Sequence, residues 1–272
     1  MNKPMMDLKS AFGMHTLPFT REIGIEAMFP FSNHVDVADG IVRAVERRMS
    51  AALIAAPGTG KTTLVRGVMA RLPEARYRVH TVKCTSLSKR DMCREVARTC
   101  GLGATGIYPE LVRKLQARFE ASLYEEGLRP VLVLDEAHDL RPDVLAMLRV
   151  LTNFQMDSRL VLSVVLIGQL ELGTMLKRDD QEAIARRIVY YATLRPLSRE
   201  ESHKYVEHRI SVAGARTCPF DPRALDAIYE VGRGNLRTTD NLALEALECA
   251  ARTGLKVAGV EHVMEARKVL WP

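Results

Sequence analysis

Cysteine is sparse and odd in number. Cys84, Cys93, Cys100, Cys218 and Cys249 contain no C-x-x-C pair. Neither a disulfide framework nor a zinc site is expected from them, but reduced and mostly buried thiols. Long apolar runs are missing too: LVLSVVLIG, at 160–168, is about half the length a spanning helix needs. The opening segment MNKPMMDLKSAFGMH has no apolar centre and no cleavage site of a secretory leader. Internal repeats and low-complexity stretches are absent. These absences point to a soluble, cytoplasmic chain without membrane association. What is present, 272 residues with 47% hydrophobic and 26% charged composition, suffices for one large domain or one domain with a small companion.

Charge is unevenly shared. The net balance is +6, and residues 1–130 carry 20 Lys/Arg against 13 Asp/Glu, whereas the remainder carries 19 against 20. The sharpest excess is RYRVHTVKCTSLSKRDMCREVAR, at 76–98, with seven basic and two acidic residues. Such a stretch is either a solvated face or a surface for phosphate backbones.

Residues 1–34 read as an irregular arm, with Phe12, Phe19, Phe29 and Phe31 as anchors separated by Pro18 and Pro30. A helical pattern follows at 35–49. Strand-like runs stand at 51–56, 77–84, 130–136, 159–168 and 187–197, and helical segments intervene at roughly 62–71, 88–99, 109–126, 142–154 and 180–187. The third and fourth strand runs barely alternate, as strands covered on both faces do. This order predicts an α/β fold with a parallel sheet sandwiched by helices, over 35–197. Beyond Pro196 only helical periodicity remains. Ser198 with Glu201 forms a capping box, and Asp221 before Pro222 starts a second helix. Residues 198–272 therefore read as a small all-helical lid.

The chemistry starts at APGTGKTT, 56–63, where a strand ends and a helix opens. That context makes a P-loop match credible. Gly58 and Gly60 let consecutive amides turn toward phosphate oxygens, Lys61 bridges the β- and γ-phosphates, and the Thr62 hydroxyl ligates Mg²⁺. Pro57, Gly58, Thr59, Gly60, Lys61, Thr62 and Thr63 are the expected nucleotide cradle. One glycine of the usual pattern is missing, because Ala55 stands in its place. VLVLDEAH, 131–138, supplies the complement: Asp135 at a strand end on a neighbouring strand holds Mg²⁺, and Glu136 orients and polarises the attacking water. A site that only bound nucleotide would not need the second carboxylate. The same DEAH letters occur in helicases, but those require two tandem cores and a late arginine-rich motif, and this chain has room for one core.

Three further pieces fit. Gln169 ends the strand after Asp135, where a side chain can sense the γ-phosphate. Arg178, Arg186 and Arg187 precede the last strand, from which an arginine can reach a neighbouring subunit's phosphate. Arg237 stands near the start of a lid helix after a Gly-rich turn, placed to reach back to the nucleotide. Together these residues resemble an AAA+ ATPase. Within that class the chain resembles the ExeA-like group, through FGMHTLPF (12–19), LTNFQMDSR (151–159), GQLEL (168–172) and RGNLRTTDNL (233–242). That group includes secretion-pathway ATPases and transposon-encoded helper ATPases similar to TnsC and TniB. Because the chain stops directly after the lid and is basic, the transposition branch is the expectation. The resemblance then implies a homo-oligomer, ring or helical filament, that assembles with ATP and Mg²⁺ on double-stranded DNA and recruits a transposase. A secretion or envelope-assembly ATPase is the alternative. The DNA contacts are expected at Lys83, Lys89, Arg90 and Arg94, near the start of a helix, and directed at the backbone.

Overall fold

Five aliphatic runs pair in parallel to form the sheet of a computed structural model that describes residues 8–271. In chain order the elements are α1 (Leu8–Phe12), α2 (Ser32–Glu46), β1 (Ser50–Ala55), α3 (Lys61–Ala70), β2 (Tyr77–Lys83), α4 (Lys89–Thr99), α5 (Tyr108–Tyr124), β3 (Arg129–Asp135), α6 (Pro142–Leu151), β4 (Ser163–Gly168), α7 (Leu170–Leu176), α8 (Glu182–Ala185), β5 (Ile188–Leu194), α9 (Arg199–Val212), α10 (Pro222–Gly232), α11 (Leu236–Arg252) and α12 (Val260–Leu270). The described residues form two compact units. One is 32–57 with 61–194; the other joins the residues up to Phe31, Gly58–Gly60 and the chain from Arg195 onward.

In the first unit the strand order is β2-β3-β4-β1-β5. Successive side chains of a strand point to opposite faces, and here both faces are apolar. Leu132 and Leu134 of β3, with Val164 and Leu166 of β4, join Met92, Leu111, Leu115 and Phe119 in one core. Val131, Val133, Val165 and Ile167 face the other way, against Ile41, Val45, Leu64 and Val68 of α2 and α3. This double burial explains why those strands barely alternate in sequence.

Two expectations need correction. The fourth strand run, set at 159–168, pairs only from Ser163 onward; Arg159 instead makes an isolated bridge with Phe154. The strand carrying Asp135 was expected beside the P-loop strand, but β4 lies between β3 and β1. Gln169, just after β4, is thereby set between the ends of β1 and β3.

The second unit is helical. Ser198 Oγ accepts from Glu201 N at 3.2 Å and Glu201 Oε2 accepts from Ser198 N at 2.8 Å, closing the capping box of α9. Asp221 Oδ1 accepts from Ala224 N at 2.6 Å at the start of α10, and Asn235 caps α11. Ile210, Ile228, Leu242, Leu247 and Val263 form its core. The arm packs here: Phe19 meets Phe220 edge-on, and Phe29 meets Tyr205 in the same manner. The arm is not wholly irregular, since α1 and a 3-10 turn at Ile25–Ala27 lie within it. Gly234 is the one residue type its turn accepts. Its φ is +72° and a Cβ there would stand 2.2 Å from Leu197 O.

Candidate nucleotide site

All five strands are parallel, so β1, β3 and β4 end at the same edge of the sheet, where open α/β sheets carry their ligand sites. In the first unit that edge presents Lys61 to Thr63, Asp135, Glu136 and Gln169. Lys61 opens α3 with only 8% of the residue exposed, and its Nζ donates to Ala55 O and Ala56 O, each at 3.2 Å. Thr62, the next residue of α3, is exposed. Asp135 ends β3, and its Oδ1 accepts from the Glu136 amide at 2.9 Å. Glu136 itself is left-handed, with φ 53° and ψ 38°, and one oxygen, Oε2, is buried and makes no hydrogen bond. Cys84, beside Asp135, is buried, and burial together with the Asp135 charge pushes its thiol up to about 12.

The second unit contains the tip of the loop. Gly58 and Gly60 have φ of +76° and +90°, values that an L side chain rarely adopts. A Cβ on Gly58 would stand 2.4 Å from Asn235 Oδ1, and Gly58 O accepts from the Arg237 amide at 3.2 Å. The Arg237 side chain is exposed.

These features suit a nucleoside triphosphate with Mg²⁺. Two glycines open the backbone of the loop; in the first unit a lysine is nearly buried at the start of α3, and one buried carboxylate oxygen makes no hydrogen bond. A hydroxyl and a single carboxylate are hard oxygen ligands, which is the protein share of many Mg²⁺ sites. Among the described residues no group of three or more His, Cys, Asp or Glu is arranged to hold a metal ion.

The arginines before β5 differ in their partners. Arg187 Nη2 is bound to both oxygens of Asp157 at 2.6 Å, with its side chain 21% exposed. Arg186 is 77% exposed and pairs with Glu182, one turn back. Arg178 pairs with Asp180. Both Arg186 and Arg187 line an open groove of about 610 Å³, together with Gln116, Arg149, Asn153 and Asp157.

The basic residues of α4 are drawn into local contacts. Lys89 Nζ lies 4.9 Å from the Tyr108 ring centre, Arg90 Nε donates to Gly106 O at 3.3 Å, and Arg94 pairs with Asp91 at 2.9 Å. Lys89 and Arg90 are the first two residues of the helix and are exposed, as is Lys83 at the end of β2. Two residues without an assigned role in the sequence lie against residues expected at the site, one in each unit. His138 meets Gln169, its Nε2 2.8 Å from the Gln169 side-chain nitrogen, and Asn235 occupies the space above Gly58. His138 is spelled out in DEAH, but nothing in that spelling pairs it with a residue 31 positions later.

Known proteins share this fold. A family model described as an AAA domain matches residues 43–176. General secretion pathway protein A of Aeromonas hydrophila is 34% identical over 203 residues, which is 72% of this chain and 36% of that protein. The chain thus spans about a third of the length of that relative. Among solved structures, Cdc6p from Pyrobaculum aerophilum superposes with a TM-score of 0.69 at 18% identity, covering 96% of this chain and 70% of the other. The ORC1 protein of Aeropyrum pernix, solved in complex with DNA, gives 0.67 at 20% identity, covering 93% and 68%. The RuvB Holliday junction branch migration motor of Thermotoga maritima gives 0.59 at 18%, covering 88% and 69%. With the AAA-domain match added to the sheet order and the helical unit that follows in the chain, this chain has the P-loop fold of the AAA+ ATPases.

Proposed function

We propose that this chain hydrolyses ATP as self-assembled copies and couples the cycle to a step in secretion or envelope assembly. The observation that carries this reading is the 34% identity over 203 residues to general secretion pathway protein A, a likeness longer than the stretch matched by the AAA-domain model. Residues 35–197 are the ATP-binding domain in this reading, 198–272 the lid and 1–34 an arm. Backbone amides from Pro57 to Gly60, with Thr63, cradle the phosphates. Lys61 holds the β- and γ-phosphates, while Thr62 and Asp135 hold Mg²⁺. The ion supplies charge neutralisation at the phosphates. Glu136 orients and polarises the water, Gln169 senses the γ-phosphate, and Arg237 reports it to the lid. Arg186 is the better placed of the two arginines to reach a neighbouring copy, because Arg187 is already committed to Asp157.

A second reading places the assembled copies on duplex DNA, where they recruit a transposase. The basic stretch 76–98, with exposed Lys83, Lys89 and Arg90, favours it. One experiment separates the two: sedimentation and electron microscopy of the protein with a non-hydrolysable ATP analogue, with and without duplex DNA. Assembly that needs nucleotide and ignores DNA supports the secretion reading. Retention on DNA that weakens with salt, joined by DNA-stimulated hydrolysis, supports the second. A protein that neither assembles with the analogue nor hydrolyses ATP sinks both.

A further inference from the structure

The roles above leave His138 unused, although it lies against two of the residues they name. It sits in the 3-10 turn Ala137–Asp139 that follows β3, with its ring 13% exposed. Its Nε2 is 2.8 Å from the side-chain nitrogen of Gln169. Its Nδ1 is 3.5 Å from Glu136 Oε2 and 3.4 Å from the Gln169 backbone nitrogen. Asp139 Oδ1, at 3.9 Å from Nε2, is the other charged group facing the ring. Gly168 allows this approach, since a Cβ there would stand 3.1 Å from His138 N and 2.9 Å from Leu172 Cβ.

The neutral ring carries one N–H and one bare nitrogen, and the two placements have different consequences. With the proton on Nδ1, the ring donates to Glu136 Oε2 and Nε2 accepts from the Gln169 NH₂ group. With the proton on Nε2, it donates to the Gln169 side-chain oxygen, once the carboxamide has turned over, and Nδ1 accepts from the Gln169 backbone amide. Glu136 Oε2 is held in the first arrangement only. The way the Gln169 carboxamide faces therefore selects whether the carboxylate is fixed or loose, with no change of charge.

We infer that His138 is a positioning residue that ties the carboxamide of Gln169 to the carboxylate of Glu136. This rests on the reading in which Glu136 orients the attacking water and Gln169 senses phosphate. A hydrogen-bond donor, as the attacking water is, pulls the Gln169 oxygen away from the ring, turns the NH₂ toward Nε2 and so fixes Glu136, while the second N–H of that group is left for a phosphate oxygen. Glu136 is thus aligned when Gln169 holds the water and released when it does not.

The test uses the full chain and the variants Glu136→Gln, Gln169→Ala, His138→Ala and His138→Asn. The Asn side-chain nitrogen takes the place of Nδ1 but leaves nothing at Nε2. Loss of the ring should lower kcat by about tenfold or more with KM unchanged, the mark of a group acting on alignment and not on binding. His138→Asn should recover most of that loss, and Gln169→Ala should cost it less than it costs the wild type. With ¹⁵N-labelled histidine, adding a non-hydrolysable ATP analogue should move the His138 ring signals toward the Nδ1-protonated form, and Gln169→Ala should abolish that movement. If Glu136→Gln stops turnover while His138→Ala, shown by its melting to be folded, turns over normally, the inference is overturned alone. Additive losses from His138→Ala and Gln169→Ala overturn it as well. Turnover that survives Glu136→Gln overturns the assignment of Glu136 and this inference with it.

Discussion

At the scale of single residues, the missing glycine at position 55 turns out to need no glycine. Ala55 is the last residue of β1, with an extended backbone, paired with Leu194 and 1% exposed. The positive φ angles that a loop of this kind requires fall at Gly58 and Gly60. Restoring the usual letter with Ala55→Gly should leave ATP turnover unchanged and cost about 1 kcal/mol of stability in calorimetry, through strand entropy and a lost methyl. Gly58→Ala should do the opposite, forcing a strained φ and a clash with Asn235, so that ATP affinity falls in a titration with a fluorescent analogue. The two neighbouring arginines should separate in the same manner. Arg187→Ala removes a bidentate partner from Asp157, which stands in three consecutive left-handed residues, Gln155 to Asp157. It should lower the denaturation midpoint by the equivalent of about 1 kcal/mol. Arg186→Ala should leave the midpoint alone and slow hydrolysis only where copies assemble.

Elements show where sequence reasoning reached and where it stopped. Two helical glycines look alike in the sequence and differ in their surroundings. Gly67 in α3 has nothing within 4 Å of where a Cβ would be, so Gly67→Ala should stabilise by about 1 kcal/mol. Gly40 in α2 faces the Tyr190 ring of β5, and a Cβ there would lie 2.0 Å from it. Gly40→Ala should therefore destabilise unless the ring is cut back, and Gly40→Ala with Tyr190→Leu should recover stability in urea unfolding. The alternation of strands and helices, the P-loop context and the caps of α9 and α10 were legible because each is a local pattern. Pairing is not local. Leu160 to Leu162 is as apolar as the strand it precedes, but nothing in the run says that only Ser163 onward meets Val131. For the same reason the sheet order was not readable, and Asp135 was placed one strand too near the P-loop. The contact between His138 and Gln169 depends on that order, and no spacing announces it.

For the molecule as a whole, most ion pairs are on the surface and weak, so pH dependence falls to a few buried groups. His80, 5% exposed, is pushed below its ordinary value mainly by burial, which makes stability fall as pH drops under the usual histidine range. The larger effect has the opposite sign and belongs to Asp240. This carboxyl lies behind the buried Tyr205 and Arg209, accepting from Tyr205 Oη at 2.8 Å with Arg209 Nη1 at 3.4 Å. Burial outweighs the attraction of Arg209 and raises it from 3.8 to about 6. Between those values the folded chain binds more protons than the unfolded one. Stability from this group is thus complete below pH 3.8 and lost as pH rises through about 6. A displacement of about two units corresponds to about 3 kcal/mol. Unfolding of wild type and Asp240→Asn by urea isolates it, since all other groups cancel in the difference. The stability of Asp240→Asn relative to wild type should be about 2 kcal/mol more favourable at pH 7 than at pH 4, where the unfolded carboxyl is already partly ionised. A relative stability equal at the two pH values would mean that Asp240 is already ionised throughout, held by Arg209 and Tyr205 against its burial.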